Sequence, residues 1–288
     1  MDRARLSDWP LAEHSRFLRV RPHDWHVQEM GQGPDLVLLH GTGASTHSWR
    51  DLIPRLAQDW RVLAIDLPGH GFTRLGTRMR SGLGPLAEDI AALLTEIGCD
   101  PAAIVGHSAG AAIALRLSQA VPGGPPVIGI NPALQPFQGL AGVMFPMTAR
   151  MMAITPGMST MLARSLSETR RVLPLLRSTG SDLTASGMNY YARLFRDAAH
   201  VDGTLLMMAQ WKLDGLLADL PRLHTRCLFL TGSQDGMVPP VSAVQAAERM
   251  PSAKVQSLDG FGHLVHEEAP EKVAACITAW LATVDVTV

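Results

Sequence analysis

The 288-residue chain has few cysteines, little net charge and no long apolar run. Its three cysteines, Cys99, Cys227 and Cys276, form no CxxC pair and no disulfide framework, which is typical of a reducing cytoplasm. A formal net charge of -1 leaves no basic surface of the kind that nucleic-acid binding needs. No stretch of about 18 apolar residues could form a transmembrane helix, and the first 20 residues lack the apolar core of a signal peptide. The composition therefore predicts a cytoplasmic protein with no nucleic-acid partner and at most peripheral membrane contact.

Spacings typical of metal and nucleotide sites are missing as well. The histidines show neither HxxxH nor HxH spacing, and the carboxylates form no metal-like cluster. The chain has no GxxxxGK[ST] loop, which excludes an ATPase motor, and the glycine-rich turn HGTGAS at 40–45 lacks GxGxxG spacing. We therefore expect no cofactor and no metal site.

Short apolar runs alternate with helical patterns, which predicts βαβ units and a mostly parallel sheet. An antiparallel pair of strands is expected first, within residues 17–31. Buried strands are then expected to begin near Asp35, Arg61, Ala102, Pro126, Arg226 and Ala253. The pattern also predicts one helix over residues 48–60 and a last helix from about Glu268 to Val284.

The alternation stops after Pro132. Residues 133–213 contain no clear strand pattern and are rich in methionine, leucine and alanine. We predict one α/β core formed by residues 1–132 and 214–288, with residues 133–213 inserted as a helical cap after the sixth strand. Two independent domains are the alternative, which is disfavoured because the later strands complete the same sheet.

The stretch AAIVGHSAGAAIALRL at 102–117 places Ser108 between a strand and a helix, with Gly106 and Gly110 beside it. Small neighbours permit a sharp, strained turn that exposes the serine Oγ at the end of the strand. An ordinary glycine-rich corner would have the same letters. The strand–turn–helix context favours Ser108 as a nucleophile.

A serine hydroxyl needs a base, and the base needs an orienting acid. Of eleven histidines, only His263 lies in a glycine-flanked loop between the last strand and the last helix. Its rival His266 is explained as a solvent-facing residue in the first turn of that helix. Asp235 follows the buried run CLFLTGSQ and is predicted as the acid, although a turn aspartate is the alternative. Three further aspartates are interpreted as caps or surface charges: Asp214, Asp219 and Asp259.

An oxyanion hole is predicted from backbone N–H groups. The expected donors are Thr42, in the turn after the first buried strand, and Ala109, the residue after the nucleophile. His40 is predicted to be structural, and Asp66 in DLPGHG is predicted to brace loops rather than to catalyse.

The motifs HGTGAS, DLPGHG, GHSAG, GSQDGMVPP and GFGHLVHEEAP, in this order, resemble the α/β-hydrolase superfamily over nearly the whole chain. The resemblance implies an eight-stranded, mostly parallel sheet flanked by helices, and a triad of Ser108, Asp235 and His263. Haloalkane dehalogenases and epoxide hydrolases of this fold would carry an acidic residue at position 108. Serine there implies transfer of an acyl group to water, as in an esterase, thioesterase or amidase, with carbon–carbon bond hydrolysis as a minor alternative.

Residues 25–52, 129–153 and 200–223 closely resemble the magnesium-chelatase accessory proteins of bacteriochlorophyll biosynthesis. This resemblance implies a place in photosynthetic pigment synthesis, a tetrapyrrole or its ester as the small-molecule substrate, and magnesium-chelatase subunits as partners. Two functions stay open: a serine hydrolase near the chelatase step, or a porphyrin-binding or delivery protein whose triad is unused. A general-purpose esterase outside any pigment pathway is a third interpretation.

Methionine is enriched in the predicted insertion, which holds nine of the fourteen: Met144, Met147, Met151, Met152, Met158, Met161, Met188, Met207 and Met208. Methionine fills irregular gaps, so cap packing is one explanation. The other is an adaptable roof over a large flat ligand, with candidate flat walls from Phe137, Phe145, Tyr190, Tyr191, Phe195 and Trp211. The run at 139–158, whose single charge is Arg150, is also a candidate for contact with the photosynthetic membrane.

Overall fold

A computed structural model describes residues 1–120, 124–135, 148–166 and 169–284. One eight-stranded sheet forms its centre, in the order β1-β2-β4-β3-β5-β6-β7-β8. The strands are β1 (Ser15–Val20), β2 (His23–Met30), β3 (Asp35–Leu39), β4 (Arg61–Ile65), β5 (Pro101–His107), β6 (Val127–Ile130), β7 (Cys227–Gly232) and β8 (Ala253–Leu258). β2 pairs antiparallel with both β1 and β4, and all other neighbouring strands are parallel, so the predicted mostly parallel sheet and its leading antiparallel pair are confirmed.

Helices flank the sheet and fill its connections. The described α-helices are Ile53–Leu56, Leu83–Glu96, Ala109–Ala120, Met158–Ser165, Thr169–Arg177, Ala185–Phe195, Ala198–Gln210, Asp214–Asp219, Val241–Glu248, Val265–Glu268 and Pro270–Leu281. Residues 148–154 are also helical. Short 3₁₀ helices span Arg3–Asp8, Ala12–His14, Thr46–Trp49 and Leu220–Arg222.

The sheet is buried on both faces. In β3, Val37 and Leu39 pack into one apolar layer, whereas Leu36 and Leu38 pack into the opposite layer. The first layer includes residues of helices Leu83–Glu96 and Ala109–Ala120, and the second includes residues of Pro270–Leu281. Burial on both sides explains why the central strands are continuous apolar runs.

The predicted helix over residues 48–60 is wrong in extent. Residues 48–60 form no single helix, because the 3₁₀ helix Thr46–Trp49 ends before a separate short helix with Pro54 in its first turn. Proline lacks the N–H that would continue a preceding helix, but it is well suited to start one. The predicted last helix is present at Pro270–Leu281, and Ala269 leaves the helical region directly before Pro270.

Between β6 and β7, the described residues form helices and no strand. The predictions for Phe137, Met144, Phe145 and Met147 fall outside the described residues. Among the helices that the structure describes, none is long and apolar enough to cross a membrane.

Candidate active site

Ser108 occupies the turn between β5 and the helix Ala109–Ala120. Its φ is 53°, in the left-handed region that side chains other than glycine rarely adopt. The conformation is held from both sides, because Ser108 N–H donates to Ile130 O at 2.9 Å and its carbonyl accepts from Ala111 and Ala133 N–H. Strain of this kind persists only where the surroundings determine it, and it is common at functional sites.

The glycines around Ser108 are required by close backbone contacts. A Cβ at Gly106 would lie 2.3 Å from Gly110 O, and a Cβ at Gly110 would lie 2.1 Å from Leu39 O. A Cβ at Gly41 would lie 3.0 Å from Ser108 Cβ. The turn after β3 and the turn after β5 therefore touch at the serine.

Replacing Gly110 by alanine should destabilise the protein by about 3 kcal/mol, because neither the helix nor β3 can withdraw without disturbing the sheet. Gly84 is the matched control, since it is also the second residue of its helix but has nothing within 4 Å of an added Cβ. Gly84→Ala should be neutral or stabilising by about 0.5–1 kcal/mol. Urea unfolding measures both changes, and equal stability of the two variants would contradict the close contact.

His263 and Asp235 meet although they lie on different loops. His263 Nδ1 donates to Asp235 Oδ2 at 2.7 Å, and both side chains are buried. The other carboxylate oxygen accepts the backbone N–H groups of Met237 and Val238, each at 2.8 Å. These bonds fix the carboxylate and assign the Nδ1 proton of His263, which leaves Nε2 available as a base.

His107, the residue directly before Ser108, contacts His263. The His107 ring lies 4.7 Å from the His263 ring between centroids, and His107 Nε2 donates to His263 O at 2.9 Å. No hydrogen bond joins Ser108 Oγ to His263 among the described residues. In enzymes, hydrogen bonds between a nucleophile and its base are often long without substrate and tighten when it binds, so the geometry leaves Ser108 and His263 as candidates.

Asn131 fixes the loop that carries His263, and the sequence analysis did not identify it. It follows β6 with a φ of 44°, which asparagine tolerates better than most residues. Its Nδ2 donates to the carbonyls of Gly262 and His263, and its Oδ1 accepts from Gly232 N–H. Asn131 thus ties the loop that carries His263 to the ends of β6 and β7. An asparagine directly after a buried strand was the available signal.

The predicted oxyanion donors lie on the two turns that touch at Ser108. Thr42 is exposed in the turn after β3, and its hydroxyl donates to Met207 Sδ at 3.6 Å. Ala109 is the first residue of its helix, a position whose N–H has no partner within the helix. No hydrogen bond between described residues uses either N–H group.

His40 and Asp66 lie where structural residues were expected. The buried His40 donates from Nδ1 to Gly41 O and accepts Leu67 N–H at Nε2. Asp66 accepts the N–H groups of Thr46 and Phe72, and pairs with His26 at 2.7 Å. These bonds to His26 and to backbone N–H hold the pKa of the Asp66 carboxyl well below its usual range despite burial.

The expectation that His266 faces solvent is wrong. Its short helix packs its residues inward, so His266 is fully buried between Trp49, at 4.6 Å, and His107, at 4.4 Å between ring centroids. Neither ring nitrogen has a hydrogen-bond partner among the described residues. Burial holds its pKa well below the usual value.

The other predicted polar residues stay apart from His263. Asp219 pairs with Arg116 and Arg222, Asp214 begins a helix, and Asp259 accepts from Ser257. Among the described residues, no group of three or more histidines, cysteines or carboxylates is arranged to hold a metal ion.

The predicted aromatic walls are partly engaged elsewhere. Tyr191 is buried and its hydroxyl donates to Glu267 at 2.7 Å, while Tyr190 packs against Trp9. Met207 is buried beside Thr42, whereas Met151 is 59% exposed. Met207 therefore packs inside the protein, whereas Met151 faces solvent.

Comparison with known proteins identifies the family. A model of the alpha/beta hydrolase family matches residues 36–276, which is most of the chain. The chain belongs to the α/β-hydrolase family. It is 44% identical over 281 residues to the magnesium-chelatase 30 kDa subunit of Rhodobacter capsulatus, covering 97% of this chain and 98% of that protein.

Two further comparisons are more distant. The pimeloyl-[acyl-carrier protein] methyl ester esterase of Aeromonas hydrophila is 27% identical over 254 residues, covering 85% of this chain and 94% of that one. The crystal structure of an α/β-hydrolase fold protein from Burkholderia ambifaria superposes with a TM-score of 0.76 at 23% identity, covering 92% and 97% of the two chains. This structural likeness confirms the predicted fold.

Proposed function

We propose that this α/β-hydrolase is a serine hydrolase acting on a carboxylic ester at or near the magnesium-chelatase step of bacteriochlorophyll biosynthesis. The observation that carries the chemistry is the 2.7 Å bond between His263 and Asp235, held beside the strained turn of Ser108. Residues 1–132 and 214–288 would form the catalytic core, with residues 133–213 as its cap.

In this mechanism Ser108 Oγ attacks the ester carbonyl while His263 Nε2 accepts the hydroxyl proton. Asp235 stabilises the resulting imidazolium, and the N–H groups of Thr42 and Ala109 stabilise the oxyanion. Collapse of the tetrahedral intermediate releases the alcohol, which takes the proton from His263. Water then attacks the acyl-enzyme through the same base, and the acid product leaves with Ser108 regenerated.

The relatives support the proposed class and pathway to different degrees. The 27% identical relative is named an esterase of a methyl ester, which supports a carboxylic ester as the substrate class. The 44% identical relative is named a magnesium-chelatase subunit, which supports chelatase subunits as partners. A tetrapyrrole ester as the substrate follows only from the resemblance to the accessory proteins of bacteriochlorophyll biosynthesis. We place the protein in the cytoplasm, with membrane contact that is at most peripheral.

A fluorophosphonate probe should label the wild-type protein and fail to label Ser108→Ala. His263→Ala should label at least about 100-fold more slowly, because the serine loses its base. His224 is exposed and serves as the matched control, so His224→Ala should label at the wild-type rate. Absence of labelling in folded wild-type protein, or labelling that survives Ser108→Ala, would refute the proposal.

Porphyrin binding or delivery is the second candidate, and a cleft favours it. The cleft has a volume of about 1030 Å³ and lies along helix Ala198–Gln210. Neither Ser108 nor His263 is among its lining residues. Met79 and Ile154 are 81% and 72% exposed in it, and Arg150 and Lys212 add positive charge. Apolar contacts with cations beside them suit a flat apolar ligand that carries carboxylates.

If the cleft binds such a ligand, protoporphyrin should quench the tryptophan fluorescence of the protein, and Arg150→Glu should weaken the affinity by about 10-fold. Arg177 is an exposed arginine outside the cleft, so Arg177→Glu is the matched control and should bind as the wild type does. A titration without quenching, or equal affinities of the two variants, would count against this candidate.

A further inference from the structure

A turn from the helical region between β6 and β7 lies between the two loops that carry Asp235 and His263. The turn consists of residues Thr179, Gly180 and Ser181, shortly after helix Thr169–Arg177. The carbonyl oxygen of Thr179 accepts two backbone N–H groups, from Gly236 at 3.1 Å and from His263 at 2.9 Å. The Thr179 carbonyl oxygen therefore binds both Gly236, which follows Asp235, and His263.

A second bond strengthens the attachment on the histidine side. Ser181 Oγ accepts Leu264 N–H at 2.8 Å, one residue beyond His263. The turn is itself fixed, because Ser181 N–H donates to Thr179 Oγ1 and that hydroxyl donates to Leu176 O. The helix end, the turn and the histidine loop are thus connected without a break.

The packing at this turn leaves no room for side chains. Gly180 has a φ of 75°, and a Cβ there would lie 2.0 Å from Gln234 O in the Asp235 loop. A Cβ at Gly262 would lie 2.3 Å from the Gly180 carbonyl carbon, and one at Gly236 would lie 2.3 Å from Ser178 O. Backbone packs directly on backbone from both catalytic loops.

We propose that the turn Thr179–Ser181 is a positioning element that sets the Asp235–His263 hydrogen bond and so couples the triad to the helices between β6 and β7. The inference rests on the proposed function. Asp235 and His263 belong to separate loops, so their alignment depends on what fixes those loops relative to each other. A displacement of about 1 Å in catalytic geometry can reduce a rate by about 100-fold. A ligand that moves helix Thr169–Arg177 would therefore change the reactivity of Ser108.

Gly180→Ala tests this coupling, with Gly157→Ala as a matched control. Gly157 has a φ of 77°, nearly that of Gly180, but nothing lies within 4 Å of an added Cβ. Both variants therefore place a side chain at nearly the same positive φ, and only Gly180→Ala pushes the Asp235 loop away. Fluorophosphonate labelling of Ser108 should slow by about 30- to 100-fold in Gly180→Ala and by less than about 2-fold in Gly157→Ala.

Ser181 provides a milder test if Gly180→Ala does not fold. Ser181→Ala removes the acceptor for Leu264 N–H and should slow labelling by about 5- to 10-fold, with the acidic limb of its pH profile displaced. Ser181→Thr keeps the hydroxyl and should restore most of the rate. A purely structural role would instead lower the melting temperature while leaving the pH profile unchanged, and that result would overturn the inference.

Proton NMR separates failure of the inference from failure of the proposed function. The low-field resonance of the His263 Nδ1 proton should be present in the wild type and lost or displaced in Gly180→Ala. Folded Gly180→Ala that labels at the wild-type rate would overturn the positioning role and leave the hydrolase proposal intact. Wild-type protein that never labels would overturn the hydrolase proposal, and the resonance alone would then decide whether the turn sets the bond.

Discussion

Acidification from pH 7 to pH 5 is expected to unfold most of the protein molecules, because many histidines are buried in the neutral form. Burial lowers the pKa of His70 to about 3. It also holds the pKa values of four others well below the usual value: His47, His107, His200 and His266. In each case loss of hydration is the largest cause.

The direction follows from proton uptake. An unfolded histidine titrates near pH 6.5, so below that pH the unfolded state binds protons that these native histidines do not bind. Stability is therefore complete above about pH 6.5 and falls as the pH decreases toward the folded pKa values. At pH 5 a histidine such as His70, whose folded pKa is about 3, costs about 2 kcal/mol. The other four histidines act in the same direction, so the combined loss grows toward the whole stability of a typical domain, about 5–15 kcal/mol.

Urea unfolding at pH 7.5, 6 and 5 measures this dependence. His266→Phe should reduce the loss of stability between pH 7.5 and pH 5 by about 2 kcal/mol, because it removes one titrating group. The substitution breaks no hydrogen bond, since neither ring nitrogen of His266 has a partner among the described residues. His224→Gln changes an exposed histidine and should leave the dependence as it is. An unfolding midpoint that does not move between pH 7.5 and 5 would contradict the account.

Local sequence patterns were sufficient for the sheet and for the hypothesis of the site. The strands β3, β5 and β7 are apolar runs that end in polar or glycine residues, so both the strand and the place where it delivers a side chain could be predicted. Ser108 and Asp235 were proposed from such strand ends, and His263 from its glycine-flanked loop between the last strand and the last helix. The chemical role of the three remains a prediction.

Residues whose role depends on distant contacts could not be predicted in this way. His266 was expected to face solvent because a helix start offers a local explanation, but its burial depends on Trp49 and His107 from other parts of the chain. Asn131 and Thr179 act through bonds to loops more than 50 residues away in sequence. No periodicity or motif records such a pairing. The division of the predicted helix at 48–60 was more accessible, since Pro54 was visible in the sequence.

Arg50→Ala is expected to destabilise the protein by about 3–5 kcal/mol, because it leaves a buried carboxylate without its cation. Arg50 Nη1 donates to Glu267 Oε2 at 2.5 Å, and the Glu267 side chain is fully buried. Tyr191 donates to the other carboxylate oxygen and would be the remaining partner. Burial already raises the pKa of Glu267, with Arg50 opposing the increase, so loss of Arg50 should raise this pKa further.

The surface pair of Arg55 and Glu271 is the matched control, since both side chains are substantially exposed. Arg55→Ala should change the stability little, because solvent screens the pair. The loss of stability in Arg50→Ala should also be greater at pH 8 than at pH 6. A raised pKa of Glu267 in the folded state penalises its ionised form, and protonation relieves that penalty.

The double variant Arg50→Met with Glu267→Gln should recover much of the stability, because it removes both charges together. Urea unfolding of the wild type and the three variants distinguishes a buried charge from a lost contact. Equal small losses in Arg50→Ala and Arg55→Ala would refute the burial argument.

The ion pair of Arg50 and Glu267 also connects two elements near the candidate site. Glu267 belongs to helix Val265–Glu268, which closely follows His263, and Arg50 directly follows the 3₁₀ helix Thr46–Trp49. We therefore expect Arg50→Ala to slow labelling of Ser108 as well.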